Sequence, residues 1–294
     1  MRLFEEAQTG TIGFPNLGIE DFELSNGFDL FGTGFVIKYY GVIIAFGLLL
    51  AVFYAMRRAR QFGLTSDDIL DIVLVGTPCG IIGARLYYVI YAGLPFSQWL
   101  NIRDGGLAIY GGVIGAVGSV VLFCMLSQKR RKKLLPCMDI AGIGFLIGQS
   151  IGRWGNFFNR EAHGGETDSL FAMRILENGK IIQVHPTFLY ESVWNLAGFI
   201  LLHFLSKKRK FDGQIFLCYL AWYGLGRSFI EGMRTDSLMS GSLRISQVVA
   251  IVTCVVSVAI IAYILIRKRP NGENMLVHCA AAHTETNTDK EEES

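Results

Sequence analysis

The 294-residue sequence has few charged residues for its length. Asp, Glu, Lys and Arg make up 18% of it and hydrophobic residues 51%, whereas charged residues are about 25% of a typical soluble domain. The formal net charge is only +2. This gives little support to a nucleic-acid-binding protein, whose affinity depends on many basic contacts. The composition predicts a membrane protein.

Cysteines are also few, and none of the six is spaced as a CxxC pair. Paired spacings are the usual sign of a disulfide framework or a zinc site, so the sequence predicts neither. A zinc site built from Glu161, His163 and His185 is an alternative, but no two of these residues have the i, i+4 spacing of ligands on one helix. We expect no metal and no other cofactor.

Seven apolar segments are long enough to cross a bilayer, which needs about 20 mostly apolar residues. The predicted spans are Val36–Met56, Ile69–Tyr91, Leu107–Ser127, Cys137–Gly152, Pro186–Leu205, Gly213–Gly232 and Gln247–Ile266. The fourth is short and rich in glycine, and it could continue into the polar residues that follow. The predicted fold is an all-α membrane protein, a bundle of seven transmembrane helices.

Basic runs follow every odd-numbered span. They are Arg57–Arg60, Lys129–Lys133, Lys207–Lys210 and Arg267–Arg269. Positively charged residues are retained in the cytoplasm, so the sequence predicts an N-terminus outside and a cytoplasmic C-terminus. The same runs would also be expected of simple solvated helix ends, which is compatible with this orientation.

The most unusual stretch is Gly152–Gly165, GRWGNFFNREAHGG, at the end of the fourth span. Polar groups this dense at a membrane boundary are costly unless they bind something. Arg153, Asn156 and Asn159 supply hydrogen-bond donors for an anion. Gly164 would let the backbone approach a ligand closely.

The sixth span contains a second polar set, YGLGRSFIEGMR. Tyr223, Arg227 and Glu231 are spaced i, i+4 and i+8, so they share one helical face. Arg227 could pair with Glu231 and lock the bundle, or face a cavity and take an anion while Glu231 orients it. The two interpretations are compatible. Since phosphate takes guanidinium groups well, we expect Arg153 and Arg227 to bind a phospholipid headgroup.

In the predicted orientation, Tyr40, Arg85 and Glu191 lie at the same outer-leaflet depth as these arginines. The third span begins DGGLAIYGGVIG and places Tyr110 just before Gly111 and Gly112. Small residues of this kind either line a site or let transmembrane helices pack closely.

These motifs occur together, in the same order, in one family. From about Phe14 to Arg267 the chain resembles prolipoprotein diacylglyceryl transferase. The residues that carry the resemblance are the Gly152–Gly164 signature, Gly83–Arg85, HPTFLYE at His185–Glu191, and Tyr223–Arg234. The resemblance implies transfer of the diacylglyceryl group of phosphatidylglycerol to the lipobox cysteine thiol of preprolipoproteins, with release of glycerol phosphate. The implied partners are that lipid and the signal peptide, with no nucleic acid.

One position departs from the family. Many members carry a histidine where this chain has Tyr110. Because a tyrosine has a pKa of about 10, we expect Tyr110 to donate a hydrogen bond rather than act as a base. His163, with Glu161 nearby, is the candidate base for the thiol. The alternative is that His163 is an exposed loop residue.

The predicted site follows from the residues and the resemblance together. The predicted catalytic residues are Arg153, Arg227, Tyr110, His163 and Glu161. The predicted substrate-binding residues are Arg153, Asn156, Asn159, Gly164, Tyr40, Arg85, Tyr223, Glu231, Gly111 and Gly112.

Two other classes of function stay open. One is a multi-pass transporter or flippase of an anionic lipid or solute, in which two related halves are common; the sequence shows no convincing repeat. The other is a non-catalytic scaffold subunit, which would not require so many intramembrane arginines.

The predicted domains follow the spans. Residues 1–35 are expected to form an extracytoplasmic N-terminal arm, 36–266 the seven-helix transmembrane catalytic domain and 267–294 a disordered cytoplasmic tail. Residues 161–184 are expected to form a small extracytoplasmic head between the fourth and fifth spans. The resemblance implies a bacterial cell membrane location, and the predicted orientation places the site toward the outer leaflet.

Overall fold

A computed structural model describes residues 9–33, 36–100, 106–177, 179–235, 239–240 and 243–278 of the chain. These residues are mostly helical. The α-helices are α1 (Tyr39–Arg58), α2 (Ser66–Ala92), α3 (Ile109–Met125), α4 (Gln128–Arg131), α5 (Leu134–Asn159), α6 (Thr187–Leu205), α7 (Gln214–Met233) and α8 (Ile245–Tyr263).

Each predicted span coincides with one of the long helices among the described residues. Five of them, α1, α2, α5, α6 and α8, are long and apolar enough to cross a membrane. Helix α3 is apolar but has only 17 residues, and α7 carries the charges of Arg227 and Glu231. Helix α5 continues past the predicted end at Gly152 to Asn159, so half of the signature is helical.

The described chain is not all-α, and this part of the prediction is wrong. The strands are β1 (Thr9–Phe14), β2 (Ile19–Ser25), β3 (Gly27–Asp29), β4 (Val36–Lys38), β5 (Met173–Glu177), β6 (Lys180–Val184), β7 (Met239–Ser240) and β8 (Leu243–Arg244). Four of them form an antiparallel sheet in the order β2-β1-β5-β6.

This sheet joins the N-terminal arm to the loop between α5 and α6. Ile12 of β1 lies opposite Ile175 of β5. One face of the sheet buries a cluster of apolar side chains, Ile12, Met173, Ile175, Val184 and Phe188. The arm and the loop each have a short apolar face that neither buries alone, so the two segments form one head.

The chain divides into two compact units. The first comprises Met1–Phe53, Ala141–Lys210 and Gln214–Pro270, and it contains the four-stranded sheet, α6, α7, α8 and most of α5. The second comprises Tyr54–Ile140, Phe211–Gly213 and Asn271–Ser294, and it contains α2, α3 and α4.

Residues 271–278 of the predicted tail are ordered and belong to the second unit. Met275 is buried, and the backbone N–H of Leu276 donates to the Asp212 carboxylate at 2.8 Å. The remainder of the predicted disordered tail, from residue 279, lies outside the described residues.

We predict that Ile12→Cys and Ile175→Cys form a disulfide in a background without native cysteines. Directly opposed residues of antiparallel strands have Cα atoms about 4.5–5.5 Å apart, a distance that a disulfide spans. Mass spectrometry of a non-reduced protease digest measures the linked peptide. The control pairs Ile12→Cys with Leu176→Cys, whose side chains point to opposite faces of the sheet. Equal linkage in both pairs would contradict the register.

Candidate active site

Glu191, near the start of α6, holds two arginines from neighbouring helices. One carboxylate oxygen, Oε2, pairs with Nε of Arg153 on α5. The other, Oε1, lies 2.5 Å from Nη1 of Arg227 on α7. The Glu191 side chain is only 6% exposed, so α5, α6 and α7 meet at a buried ion cluster.

A second carboxylate completes this cluster. Glu231, one turn after Arg227 on α7, places Oε2 2.5 Å from Nη2 of Arg227, and its side chain is 2% exposed. The predicted pairing of Arg227 with Glu231 is therefore present. The formal charges of the two arginines and the two glutamates cancel, so these four side chains carry no net charge.

Arg153 keeps part of its guanidinium available. Its Nε pairs with Glu191 and its Nη1 lies 3.3 Å from Oδ1 of Asn156, whereas its Nη2 has no hydrogen-bond partner among the described residues. The side chain is 20% exposed. A phosphate oxygen could therefore accept a hydrogen bond from this end without breaking the contact with Glu191.

The signature turns back on itself after α5. The side-chain amides of Asn156 and Asn159 each donate to Oε1 of Glu161 at 3.1 Å. Arg160 and Ala162, on either side of Glu161, have φ of 55° and 57°. This left-handed conformation costs roughly 1–2 kcal/mol for a residue with a Cβ, and the two amide contacts help to offset it.

These contacts change the predicted roles of the two asparagines. Both were expected to donate to a bound phosphate, but both are held by Glu161 here. Each amide nitrogen carries two hydrogens, so one N–H of each is left for a ligand. The sequence did not predict that Glu161 accepts from both asparagines. Glu161 lies beyond the end of α5, where the direction of its side chain depends on the left-handed turn and not on helical spacing.

Two predicted tyrosines lie beside the cluster. The ring of Tyr40, at the start of α1, packs so closely against Gly155 that a Cβ on residue 155 would overlap the ring. The Tyr40 phenol also interacts electrostatically with Glu161 and Arg153. Tyr223 lies one turn before Arg227 on α7 and interacts with it electrostatically. The structure thus places Tyr40, Tyr223 and Glu231 around the two arginines.

His163 and Gly164 belong to the head rather than to the cluster. His163 Nδ1 lies 3.1 Å from the Gly164 carbonyl oxygen, and its Nε2 lies 3.7 Å from Oε1 of Glu177 on β5. The carboxylate that lies beside this imidazole is therefore that of Glu177. Gly164 donates its N–H to the His185 carbonyl at 2.9 Å, and a Cβ on it would lie 2.7 Å from His185 Cβ. The close approach that Gly164 permits is to the protein itself.

Arg85 belongs to the second unit, where it organises the loop that follows α2. Its guanidinium donates to the backbone carbonyls of Gln98, Trp99 and Gly106 at 2.7, 3.0 and 3.0 Å. Arg85 is buried. Its donors thus already satisfy three loop carbonyls, and substrate binding by Arg85 stays a prediction.

Gly111 and Gly112, the two predicted site glycines of α3, lie against α2 within the second unit. A Cβ on Gly111 would overlap the backbone carbonyl of Gly83 on α2, and one on Gly112 would lie 3.5 Å from the Ala84 Cβ. Close helix packing therefore requires glycine at position 111. The distance at Gly112 is an ordinary contact, so its role stays a prediction. Tyr110 is 46% exposed, and its role stays a prediction. Among the described residues, no group of three His, Cys, Asp or Glu side chains is placed to hold a metal.

The chain matches the family model of prolipoprotein diacylglyceryl transferase over residues 28–263. It belongs to the prolipoprotein diacylglyceryl transferase family. Relatives from Bacillus cereus (strain B4264) and Bacillus anthracis (strain A0248), both named phosphatidylglycerol--prolipoprotein diacylglyceryl transferase, are 46% identical over 248 residues, 80% of this chain and 89% of the relative. A relative of the same name from Bacillus mycoides (strain KBAB4) is 45% identical over 247 residues, again 80% of this chain and 89% of the relative.

Glu191 is the residue of this cluster that the sequence analysis did not assign to the site. Its depth was predicted, but no partner stands at helical spacing on its own segment. The available signal was an acidic residue in an apolar span at the same depth as two arginines, since intramembrane charges almost always pair. The matched range contains Glu191 and both of its arginine partners.

We predict that Glu191→Ala destabilises the protein by about 3–5 kcal/mol, because it leaves two partly buried guanidinium groups with a single buried carboxylate. Denaturation of the purified protein in detergent measures the change. The control is Asp21→Ala, which removes an ion pair with Arg174 whose two side chains are each 33% exposed. That loss should stay within about 1 kcal/mol. Similar small losses in both variants would show that the cluster does not stabilise the fold.

Proposed function

We propose that this chain transfers the diacylglyceryl group of phosphatidylglycerol to the lipobox cysteine thiol of preprolipoproteins, the first step of bacterial lipoprotein maturation. Its family and the names of its relatives support the reaction. The observation that supports the site is that Arg153 and Arg227, both partly buried, share the buried carboxylate of Glu191. Because the family consists of transferases, a transferase is favoured over a transporter or a scaffold subunit.

The proposed reaction is a displacement at the carbon of the diacylglycerol unit that is bonded to the phosphate oxygen. The cysteine thiolate attacks this carbon and forms the C–S bond of a thioether. The C–O bond breaks, and its electron pair leaves with glycerol phosphate, so negative charge grows on the phosphate. Fixed donors in a water-poor site stabilise such charge strongly. We assign this role to Arg153 and Arg227.

Glu191 and Glu231 position those donors in this proposal. They hold both guanidinium groups before the lipid arrives, so little reorganisation is needed during the reaction. The phosphate gains negative charge as it leaves, so these fixed donors bind it more strongly in the transition state than in the ground state.

His163 stays the candidate base for the cysteine thiol, with Glu177 as its carboxylate partner. If His163 does not act, a free thiol with a pKa of about 8.5 supplies a few per cent of thiolate at neutral pH. The leaving group is already a phosphate, so we propose that no metal or nucleotide takes part.

We propose seven crossings, with the N-terminus outside and the C-terminus in the cytoplasm. At about 1.5 Å per residue, the 17 residues of α3 span about 26 Å and the 20 residues of α7 about 30 Å, close to the hydrocarbon thickness of about 30 Å. The basic runs support the orientation. It places the arginine cluster and the head toward the outer leaflet.

Arg153→Ala and Arg227→Ala are each expected to lower transfer by about 10- to 100-fold, because each removes a charge-assisted hydrogen bond to phosphate. Lysine should rescue poorly, since it lacks the planar guanidinium. The assay uses purified protein, a lipobox peptide and phosphatidylglycerol labelled in its diacylglycerol or its headgroup part. Arg174→Ala, a change at a partly exposed arginine of β5, is the control and should retain activity. Activity that falls only in step with protein abundance would leave the arginines a structural role alone.

The orientation predicts opposite labelling at two positions. Thr167→Cys, in the head, should react with an impermeant thiol reagent on intact cells, and Gln128→Cys, at the start of α4, should not. Both are made in a background without native cysteines. Labelling at Gln128→Cys but not Thr167→Cys would invert the topology.

A further inference from the structure

One helical turn deeper than Glu191, α6 carries a buried amide whose polar atoms are unused. Asn195 is 1% exposed, and neither its Oδ1 nor its Nδ2 has a hydrogen-bond partner among the described residues. Buried side-chain polar atoms are nearly always hydrogen-bonded, and an exception calls for an explanation. A polar ligand group that enters this position would supply one.

Asn195 lies on the face of α6 that looks between α5 and α7. Glu191, four residues earlier on the same face, contacts an arginine from each of these helices. On one side of that face, Ser192 donates to a backbone carbonyl of α5 at 2.8 Å. On the other side, Trp194 donates to a backbone carbonyl of α7 at 3.1 Å. Asn195 therefore lies between α5 and α7, one helical turn of α6 beyond the arginine cluster.

Other polar side chains at the depth of Asn195 do have hydrogen-bond partners. The hydroxyls of Ser150 and Ser192 each donate to the other residue's carbonyl, at 2.9 and 2.8 Å. Gln149, one turn before Arg153, donates to the Tyr219 hydroxyl at 3.0 Å, although its Oε1 has no partner among the described residues. Orphaned buried donors are rarer than orphaned acceptors, so Asn195 Nδ2 is the atom that most needs a partner.

We propose that Asn195 Nδ2 donates a hydrogen bond to an ester carbonyl of the diacylglyceryl group in the lipid substrate. This inference rests on the proposed function. In phosphatidylglycerol about five covalent bonds join the phosphorus to the nearer ester carbonyl carbon, a reach comparable to the roughly 5.4 Å of one helical turn. A phosphate held by Arg153 and Arg227 thus brings that ester to the level of Asn195.

The two contacts bracket the carbon under attack. That carbon lies between the phosphate ester and the acyl esters, so a lipid held at both ends cannot rotate it away from the thiolate. Acyl chains make no directional contacts that could serve this purpose. The amide therefore also selects for lipids whose chains are joined through esters.

The test compares two lipids on two proteins. Full-length wild type and Asn195→Leu are assayed for transfer from phosphatidylglycerol with ester-linked chains and from its dialkyl ether analogue. The ether keeps the phosphate, the reacting carbon and the chains, but lacks the carbonyls. We expect wild type to favour the ester by about 2- to 10-fold in kcat/KM, and Asn195→Leu to lose that factor on the ester and show no preference.

Ser192→Ala is the matched control, because it removes a satisfied hydrogen bond at the same depth. It should lower transfer from both lipids equally and keep the ester preference. A preference that survives in Asn195→Leu, or that is absent from wild type, overturns the proposal. Failure of wild type to transfer from the ester lipid would refute the proposed function itself, which is a different result.

Stability provides a second measurement. Leucine has a similar volume and carries no unsatisfied amide, so Asn195→Leu should melt at the same temperature as lipid-free wild type in detergent, or higher. A lower melting temperature would show that the amide holds the fold together. Asn195 would then be a structural residue, and the proposal would be wrong.

Discussion

The contact that the rest of the site depends on is one buried carboxylate shared by two guanidinium groups. Arg153 and Arg227 would each be costly in an apolar bundle if left unpaired. Glu191 accepts from both, and Glu231 brings the cluster to neutrality. The same contacts join α5, α6 and α7 at one level. Loss of the Glu191 carboxylate would therefore disturb the positions of both arginines, so stability and anion binding depend on this one side chain.

The helices could be predicted from the sequence, whereas the sheet could not. A long apolar run is a strong local signal, because backbone groups in a bilayer must be satisfied within their own helix. The sheet instead depends on pairing between segments far apart in the chain, such as Ile12 with Ile175. Each strand is short, and its apolar face has a meaning only once the partner is present. The N-terminal arm therefore gave no sign that it completes the head.

Within the site, the unusual donors could be predicted but their acceptors could not. Charge in an apolar span identified Arg153 and Arg227, and helical spacing identified Glu231 as a partner. The acceptors of the other donors come from the fold. Arg85 donates to three carbonyls of a loop, and Glu161 takes both signature asparagines through a left-handed turn. Side-chain spacing carries no information about such contacts.

A membrane transferase must orient a substrate that is mostly featureless hydrocarbon. Apolar contacts hold acyl chains without fixing their rotation, so orientation depends on the few polar atoms near the headgroup. Displacement at carbon needs the thiolate opposite the departing oxygen, so the C–O bond must be held in direction as well as position. One phosphate contact allows the lipid to swivel about it. A second contact one turn deeper, on the helix that already carries Glu191, would remove that freedom, and an unsatisfied amide at Asn195 suits that position.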